Sequence, residues 1–246
     1  MRDNGRVYRF LAGLELPGED YLRLLARVHA HLRPATYLEI GVARGDSFRL
    51  VSGQTRALGI DPAPRVPYKL GSHQTLFEQT SDEFFATHDV LAELGGRPVQ
   101  MAFIDGMHHF EYALRDFANL EALCEPSAVI FIHDCHPIDA RSSAREQTTR
   151  FWSGDVWRLI VLLKRHRPDL AIHTVATPPT GLGMITRLSP ASHLLREQLA
   201  ALTAEGLALE FADIAARKGE ALNVLPNDWA RIRALLDARS GPWAPG

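Results

Sequence analysis

The sequence is poor in cysteine and has no long apolar run, and both absences narrow the classes of protein it can belong to. Only Cys124 and Cys135 occur among its 246 residues. They stand in unrelated contexts, so we expect neither a disulfide framework nor a paired Cys-x-x-Cys zinc site. The longest apolar runs, such as LIVLL at 159–163, are far shorter than the roughly 20 residues that a bilayer-spanning helix needs. Charge interrupts the apolar stretch in the first twenty residues, so we expect no secretory leader and predict a cytoplasmic protein.

The chain also lacks an excess of either charge. It has 27 lysines and arginines against 29 acidic residues, a formal net charge of −2 and a pI near 6.6. Proteins that bind nucleic acids usually show a marked basic excess or a basic block, and no run of five basic residues occurs. We therefore expect neither a nucleic-acid partner nor a membrane partner.

Short buried-strand patterns alternate with helical patterns through the middle of the chain. The strand patterns lie at 35–42, 56–61, 73–80, 99–105 and 127–134. Strands that alternate with helices predict a parallel sheet covered on both faces, and right-handed crossovers make such a sheet doubly wound. Two further strand patterns, LAIHTVATPP at 170–179 and GLGMITRL at 181–188, predict an antiparallel edge. The predicted fold is therefore a Rossmann-like α/β domain with a seven-stranded mixed sheet.

Helical patterns flank this predicted sheet at both ends of the chain. We expect a single domain over 1–246, with a helical N-terminal extension at 1–34, a core at 35–188 and a helical C-terminal extension at 189–246. The leucines of the C-terminal extension fit either a cover over the pocket or a contact face in a homo-oligomer.

The first predicted strand ends in the turn GVARG at 41–45, which contains two glycines. Gly41 and Gly45 allow a tight turn and a close approach of a ligand to the backbone. A helix predicted to begin at Asp46–Ser47 would add free backbone N–H groups. The pattern is not Gly-x-Gly-x-x-Gly, because Ala43 stands where a pyrophosphate needs room, and this disfavours an NAD-dependent oxidoreductase. A plain strand-to-helix turn remains the alternative.

An aspartate follows the second strand, twenty residues after Gly41. Asp61 precedes Pro62, so it could simply be a surface turn residue. In nucleotide-binding α/β folds, however, an acid at this place accepts hydrogen bonds from the ribose hydroxyls. The glycine-containing turn at 41–45 and Asp61, at this spacing, together favour a ligand that contains ribose.

Polar residues also follow the fourth and fifth strands. The segment FIDGMHHFEYALRDF places Asp105 and His108 at one strand end, and VIFIHD places His133 and Asp134 at the next. The carboxyl ends of parallel strands meet at one edge of the sheet, where ligands bind in open α/β folds. We therefore expect these groups to share a pocket.

Four segments in this order, YLEIGVARGDS, GIDP, FIDGMHHFEYALRDF and VIFIHD, resemble the motifs of class I S-adenosylmethionine-dependent methyltransferases. More narrowly they are similar to the group with an IDG-x-H-x-[YF]-E signature, which is related to natural-product O-methyltransferases. The resemblance implies S-adenosylmethionine as cofactor and a small molecule as the methyl acceptor. It also implies the cofactor-binding residues, which are Glu39, Gly41, Gly45 and Ser47 at the methionine part, Asp61 at the ribose, Thr80 and Ser81 at the adenine, and Asp105 near the sulfonium.

The signature's histidine falls on His108, and the resemblance implies that it acts as a general base beside Asp105. Methyl transfer to an alcohol is an in-line displacement that requires a proton to be removed, and imidazole titrates near neutral pH. Alternatively, His108 caps the next helix or bonds to a carboxylate. Methylation of nitrogen would need no strong base and stays open.

A divalent metal ion is a further implication of the resemblance. In metal-dependent relatives an acid after the fourth strand joins two adjacent acids after the fifth. Asp105 and Asp134 match two of these places and His133 occupies the third. Two carboxylates can hold Mg²⁺ or Mn²⁺, and a histidine would favour a softer ion. Alternatively, His133 faces the sheet interior, or His136 supplies a ligand.

A protein that binds the cofactor without catalysis, for regulation or assembly, is the remaining alternative to an enzyme. It would keep the same residues at the strand ends, so the sequence does not separate the two.

Overall fold

A computed structural model describes residues 5–240 of the chain. The outermost parts of the two predicted helical extensions, residues 1–4 and 241–246, lie outside the described residues.

The described chain forms one eight-stranded sheet in the order β3-β2-β1-β4-β5-β7-β6-β8. The strands are β1 Thr36–Ile40, β2 Arg56–Ile60, β3 Gln74–Phe77, β4 Val99–Ile104, β5 Cys124–His133, β6 Ala171–Val175, β7 Leu182–Thr186 and β8 Val224–Leu225. Strands β1 to β5 run parallel, and β7 is antiparallel to both of its neighbours. The predicted Rossmann-like α/β fold is confirmed. The strand count of seven was one too low, because β8 contributes only two residues and leaves no periodic pattern to read.

Helices cover both faces of this sheet. They are α1 Gly5–Glu15, α2 Tyr21–Leu32, α3 Ser81–Thr87, α4 Val90–Glu93, α5 Phe110–Leu123, α6 Trp157–His166, α7 Leu194–Glu197, α8 Leu199–Leu207, α9 Ala212–Ala215, α10 Lys218–Ala221 and α11 Trp229–Asp237. One apolar core packs α3 to α8 on one face, and a second packs α2 and α11 on the other. Among residues 5–240, no helix is both long enough and apolar enough to span a bilayer.

The register of the parallel strands aligns their carboxyl ends. The residues paired across the four central strands are Ile60, Ile40, Ile104 and Ile132. The next residue of each strand therefore lies on the same edge of the sheet, and these residues are Asp61, Gly41, Asp105 and His133. The backbone pairing alone thus brings the predicted site residues into one row.

The predicted helix at Asp46–Ser47 was wrong. The chain makes only a short 3-10 turn, Phe48–Leu50, with no side-chain cap. The Ser47 hydroxyl, which could have capped a helix, donates instead to the Glu39 carboxylate at 2.5 Å. The free N–H groups of a long helix are therefore not part of this strand exit.

The segment from Ser81 to Leu94 forms two short helices, α3 and α4. The break lies at His88 and Asp89, which both have extended backbone, and the Asp89 side chain caps α4. Thr80 is the N-cap of α3, in a capping box with Glu83. Asp228 caps α11 in the same way.

Candidate active site

A cleft of about 470 Å³ opens at the carboxyl ends of the parallel strands. Residues from four consecutive strand exits and from helix α5 line it. They are Ile40, Gly41, Ala43, Ile60, Asp61, Pro62, Thr80, Ser81, Asp82, Asp105, Gly106, Met107, His108, Tyr112 and Asp116. The structure thus brings together Gly41, Asp61, Thr80, Ser81 and Asp105, all of which the sequence singled out.

The chain segments that follow β1 and β4 contact each other at Gly41. Its φ of 89° lies in the region that favours glycine. A Cβ at this position would lie 2.0 Å from the carbonyl oxygen of Asp105, and the Asp105 N–H donates to the Ile40 carbonyl at 2.8 Å. Any side chain here would push apart the two strand exits that form the floor of the cleft.

The carboxylate of Asp61 is held in place by backbone donors. It accepts hydrogen bonds from the N–H of Ala43 at 2.7 Å and of Ala63 at 2.8 Å. Ala43 adopts a left-handed φ of 47°, which is uncommon for a residue with a side chain. Asp61 therefore ties the first strand exit to the second and is fixed before any ligand arrives.

Glu39, Gly45 and Ser47 do not line the cleft but lie behind its first exit. The Glu39 carboxylate is buried and accepts from the hydroxyls of Tyr37 at 2.7 Å and Ser47 at 2.5 Å. Burial raises the pKa of Glu39 to about 8, although the two hydrogen bonds oppose the shift. The Gly45 carbonyl accepts from Tyr68 at 2.8 Å. These contacts shape the turn that the sequence assigned to the methionine part of the cofactor.

Asp116 lies in the cleft wall and was missed by the sequence analysis. It is buried on α5, and burial raises its pKa to about 7, against a hydrogen bond from Ser81. The available signal was its position three residues after Ala113, an acid within the apolar stripe of α5.

His108 and Asp134 form a close pair at one end of the cleft. His108 Nδ1 lies 2.9 Å from Asp134 Oδ2, with side-chain exposures of 32% and 3%. Burial lowers the pKa of His108, but the carboxylates of Asp134 and Asp105 outweigh it and raise the pKa to about 9. The Trp152 ring stacks on the imidazole, with centroids 5.2 Å apart. The imidazole is thus held from two sides and remains partly open.

His133 joins the same group, so the alternative that it faces the sheet interior away from the site was wrong. Its Nδ1 atom lies 3.1 Å from Asp105 Oδ1 and 3.3 Å from Asp134 Oδ1. Burial lowers the pKa of His133, but the two carboxylates raise it well above its usual value. Tyr21 at the start of α2, which the sequence analysis also missed, covers the His133 ring with centroids 4.3 Å apart.

The donor set at this end of the cleft fits a divalent cation. Asp105, His108 and Asp134 each offer a ligand atom, and these atoms lie within 4.8 Å of one another. The Nδ1 atom of His108 is buried and lies 2.9 Å from Asp134 Oδ2, without a hydrogen bond of acceptable geometry. His136 lies elsewhere, with its Nε2 atom 3.9 Å from Glu15 of α1.

The loop 137–156 packs over this end of the site. Arg145 makes a bidentate pair with Glu111 at 2.7 and 2.9 Å and bonds to Asp155 at 2.8 Å. The other Asp155 oxygen accepts from the N–H of Phe110 at 2.7 Å. A Cβ at Gly154 would lie 1.7 Å from the His108 carbonyl oxygen. The loop is thus fixed to the first turn of α5 and packs directly on His108.

Residues 38–135 match the model of a protein family described as a methyltransferase domain. The match runs from β1 to just past Asp134 and so contains all the strand exits described above. It confirms the prediction of a methyltransferase. The narrower IDG-x-H-x-[YF]-E group remains a prediction. A comparison with curated protein sequences gave no match.

Solved structures of other proteins resemble this chain at low sequence identity. Cofactor-bound Rv0187 from MTB is 15% identical, with a TM-score of 0.51 over 73% of this chain and 87% of that one. An O-methyltransferase from Bacillus cereus in complex with SAH is also 15% identical, with a TM-score of 0.48 over 74% and 88% of the two chains. The first of these likenesses supports the fold of this chain and nothing finer.

Proposed function

We propose that this chain transfers a methyl group from S-adenosylmethionine to a hydroxyl group of a small molecule, with His108 as general base. The observation that carries the proposal is the position of the segment from Asp105 to His108. It lines both the 470 Å³ cleft and a small adjoining cavity that His133 and Asp134 also line. A donor in the cleft and an acceptor beside Asp134 would meet at this segment.

The cleft offers a place for each part of the cofactor. Asp61 has lone pairs left to accept from the ribose hydroxyls, and Gly41 lets the backbone approach closely. Thr80 and Ser81 would lie by the adenine. Asp105, at the opposite end, would lie near the positive sulfonium, which a carboxylate stabilises.

The reaction would need only a few groups of the protein. The acceptor oxygen attacks the methyl carbon as the carbon–sulfur bond breaks, and the sulfur keeps that electron pair and leaves in S-adenosylhomocysteine. The acceptor's proton passes to Nε2 of His108, which must be neutral beforehand. Because the pKa of His108 is about 9, this role predicts that activity rises with pH up to about pH 9. Asp134 would hold Nδ1 and thus orient the ring, as a carboxylate does for a catalytic histidine.

Asp105 and Asp134 would hold a divalent ion, Mg²⁺ or Mn²⁺, beside this histidine. When bound, such an ion supplies positive charge that makes an acceptor hydroxyl more acidic. Asp134 would thus help to hold the ion and would also orient the base.

We place this activity in a single domain in the cytoplasm. The buried, unpaired thiols of Cys124 and Cys135 suit a reducing compartment.

The direct test follows a labelled methyl group from S-adenosylmethionine into a panel of hydroxylated small molecules. We expect labelling by the wild type and a fall in kcat of about 100-fold or more for His108→Ala, with a far smaller loss of affinity for S-adenosylhomocysteine. His31→Ala, on the far side of α2, is the matched control and should keep full activity. Labelling of amines alone would exclude the hydroxyl acceptor. Cofactor binding without turnover of any acceptor would favour a non-catalytic protein.

A further inference from the structure

We propose that a basic cavity at the edge of the sheet opposite the candidate active site binds an organic diphosphate, with Arg187 and Arg239 as its principal phosphate ligands. The cavity measures about 790 Å³, within the range of roughly 300–1,000 Å³ that small-molecule sites occupy. The inference concerns a second site and does not rest on the proposed function.

Strand β7 places this cavity far from the cleft. Because β7 is antiparallel to β5, Leu182 pairs with His133 beside the candidate active site, and the chain then runs away from that site. The segment from Leu182 to Arg187 spans roughly 17 Å. Arg187, the start of β6 and the end of α6 therefore meet at the opposite edge of the sheet, where α11 and the turn after it complete the cavity.

Lysine and arginine side chains line the cavity, and none of the described residues that line it is acidic. These basic residues are Lys164, Arg167, Arg187 and Arg239. The charge of Arg167 is already neutralised, because its guanidinium binds Glu121 at 2.6 and 2.7 Å and Asp169 at 2.7 Å. The other three cations remain to balance the charge of a ligand, and a cleft lined by one sign of charge attracts ions of the opposite sign.

These three cations form no ion pair within residues 5–240. Lys164 donates to two carbonyl oxygens at the end of α10, at 2.5 and 3.1 Å, and the nearby Glu220 carboxylate lies beyond ion-pair distance. Arg239 donates through Nε and Nη1 to two carbonyl oxygens at 2.8 and 2.5 Å, which leaves the donors of Nη2 unused. The guanidinium of Arg187 has no hydrogen-bond or ion-pair partner in the described chain.

The backbone of Arg187 is a second, independent observation. Its φ of 59° lies in the left-handed region, which few residues with a side chain adopt and which occurs often at ligand sites. The chain turns here directly after β7, and the half-buried Arg187 lines the cavity. A guanidinium presents paired N–H donors that match two phosphate oxygens. Arg187 thus offers the cavity a set of donors that the described protein does not use itself.

The shape and lining of the cavity determine the class of anion. A concave site holds a small molecule, whereas nucleic acids bind along extended basic surfaces. Leu170, Ile172 and Leu235 give the cavity an apolar wall, which suits an organic group rather than phosphate alone. Three cations match the charge of about −3 that a diphosphate ester carries near neutral pH.

The test is calorimetric titration of the full chain with uridine diphosphate, which lacks the adenine of the proposed methyl donor. We expect saturable binding at one site, and binding at least about tenfold weaker in Arg187→Gln, which loses a bidentate contact. Uridine, without the phosphates, should not bind measurably. Arg233→Gln is the matched control. It removes the same charge from an exposed position of α11 outside the cavity, and should change the affinity by less than about twofold.

Four outcomes would overturn the inference. They are no binding of uridine diphosphate by folded wild type, equal affinity in wild type and Arg187→Gln, equal losses in Arg187→Gln and Arg233→Gln, and uridine binding as tight as that of its diphosphate. Tighter binding of a single-stranded oligonucleotide would also overturn it, in favour of a polyanion surface. Asp61→Ala should keep the affinity for uridine diphosphate, and a loss in this variant would place the nucleotide in the cleft instead.

Discussion

Asp134 joins the two chemical parts of the site through a single carboxylate. Its oxygens lie 2.9 Å from His108 and 3.3 Å from His133, and its side chain is almost fully buried. Because it touches both imidazoles, we expect it to orient the base as well as to bind the ion.

Asp134→Asn is therefore expected to lower kcat about 100-fold, because the amide cannot hold His108 with a negative charge. Affinity for S-adenosylhomocysteine should stay within a factor of two, since Asp134 does not line the cleft. Steady-state kinetics and calorimetry check the two quantities. Full activity in the variant would show that Asp134 does not orient His108.

The raised pKa of Glu39, which is buried behind the first strand exit, predicts how stability depends on pH. Its pKa is about 8 in the folded protein, against about 4.3 in an unfolded chain. The folded state therefore keeps a proton that the unfolded state has lost, and stability should fall as the pH rises from about 4.5 to 8. The slope from this one group is at most about 1.4 kcal/mol per pH unit.

The measurement compares urea denaturation of wild type and Glu39→Gln between pH 5 and 8. The neutral amide has no such proton, so the variant should gain stability relative to wild type as the pH rises. Parallel curves would mean that Glu39 is ionised in the folded protein.

Residue type and spacing predicted much of the site, but only where a residue stood directly at a strand end. Asp61, Asp105 and Asp134 could be found because strand exits converge in this kind of sheet. Asp116 and Tyr21 lie on helices, one inside an apolar stripe and one at a helix start. Their approach to the site depends on how α5 and α2 pack, which no local pattern contains.

At the scale of elements, Asp155 links the loop 137–156 to helix α5. Its side chain is fully buried, forms ion pairs with Arg145 and Arg158 at 2.8 Å, and accepts a hydrogen bond from the Phe110 N–H. The loop therefore depends on this carboxylate for its attachment beside His108.

Asp155→Ala should destabilise the protein by about 3–5 kcal/mol, because it leaves two arginines without their shared partner. Glu146→Ala, an exposed position of the same loop, should change stability by less than about 0.5 kcal/mol. Urea denaturation measures both. A cost for Asp155→Ala as small as that of the control would show that the loop is held by other contacts.

The order of strands and helices was predictable, whereas their junctions were not. The helix expected at Asp46–Ser47 fails because the Ser47 hydroxyl bonds to Glu39, a contact between residues whose pairing only the folded sheet creates. The break between α3 and α4 depends on Asp89 acting as a cap in the middle of a helical pattern. Both junctions depend on polar side chains that have two possible partners.

At the scale of the whole molecule, α1 presents an apolar stripe to its surroundings. The stripe consists of Val7, Phe10, Leu11 and Leu14, which are 58%, 66%, 41% and 65% exposed. The opposite face of α1 packs on the loop 137–156 through Tyr8, which stacks on Phe151 and donates to Asp139. Contiguous exposed apolar side chains often mark contact surfaces, so we predict that α1 forms a contact face between copies of this chain.

Light scattering coupled to size-exclusion chromatography should therefore find an oligomer for the wild type. Phe10→Ser combined with Leu14→Ser should shift it toward the monomer, because the stripe loses its largest side chains. Leu91→Ser, an exposed leucine on α4, is the control and should leave the mass unchanged. A monomeric wild type at high concentration would contradict the prediction.

The proposed function requires that the cleft at the carboxyl ends of the parallel strands binds an adenosyl sulfur compound. Calorimetric titration of folded protein with S-adenosylhomocysteine tests it most directly. The account predicts saturable binding at one site, weakened at least about tenfold by Asp61→Ala through the loss of the ribose hydrogen bonds, and no comparable binding of NADH. Absence of heat with S-adenosylhomocysteine, or equal affinity in Asp61→Ala, would contradict it.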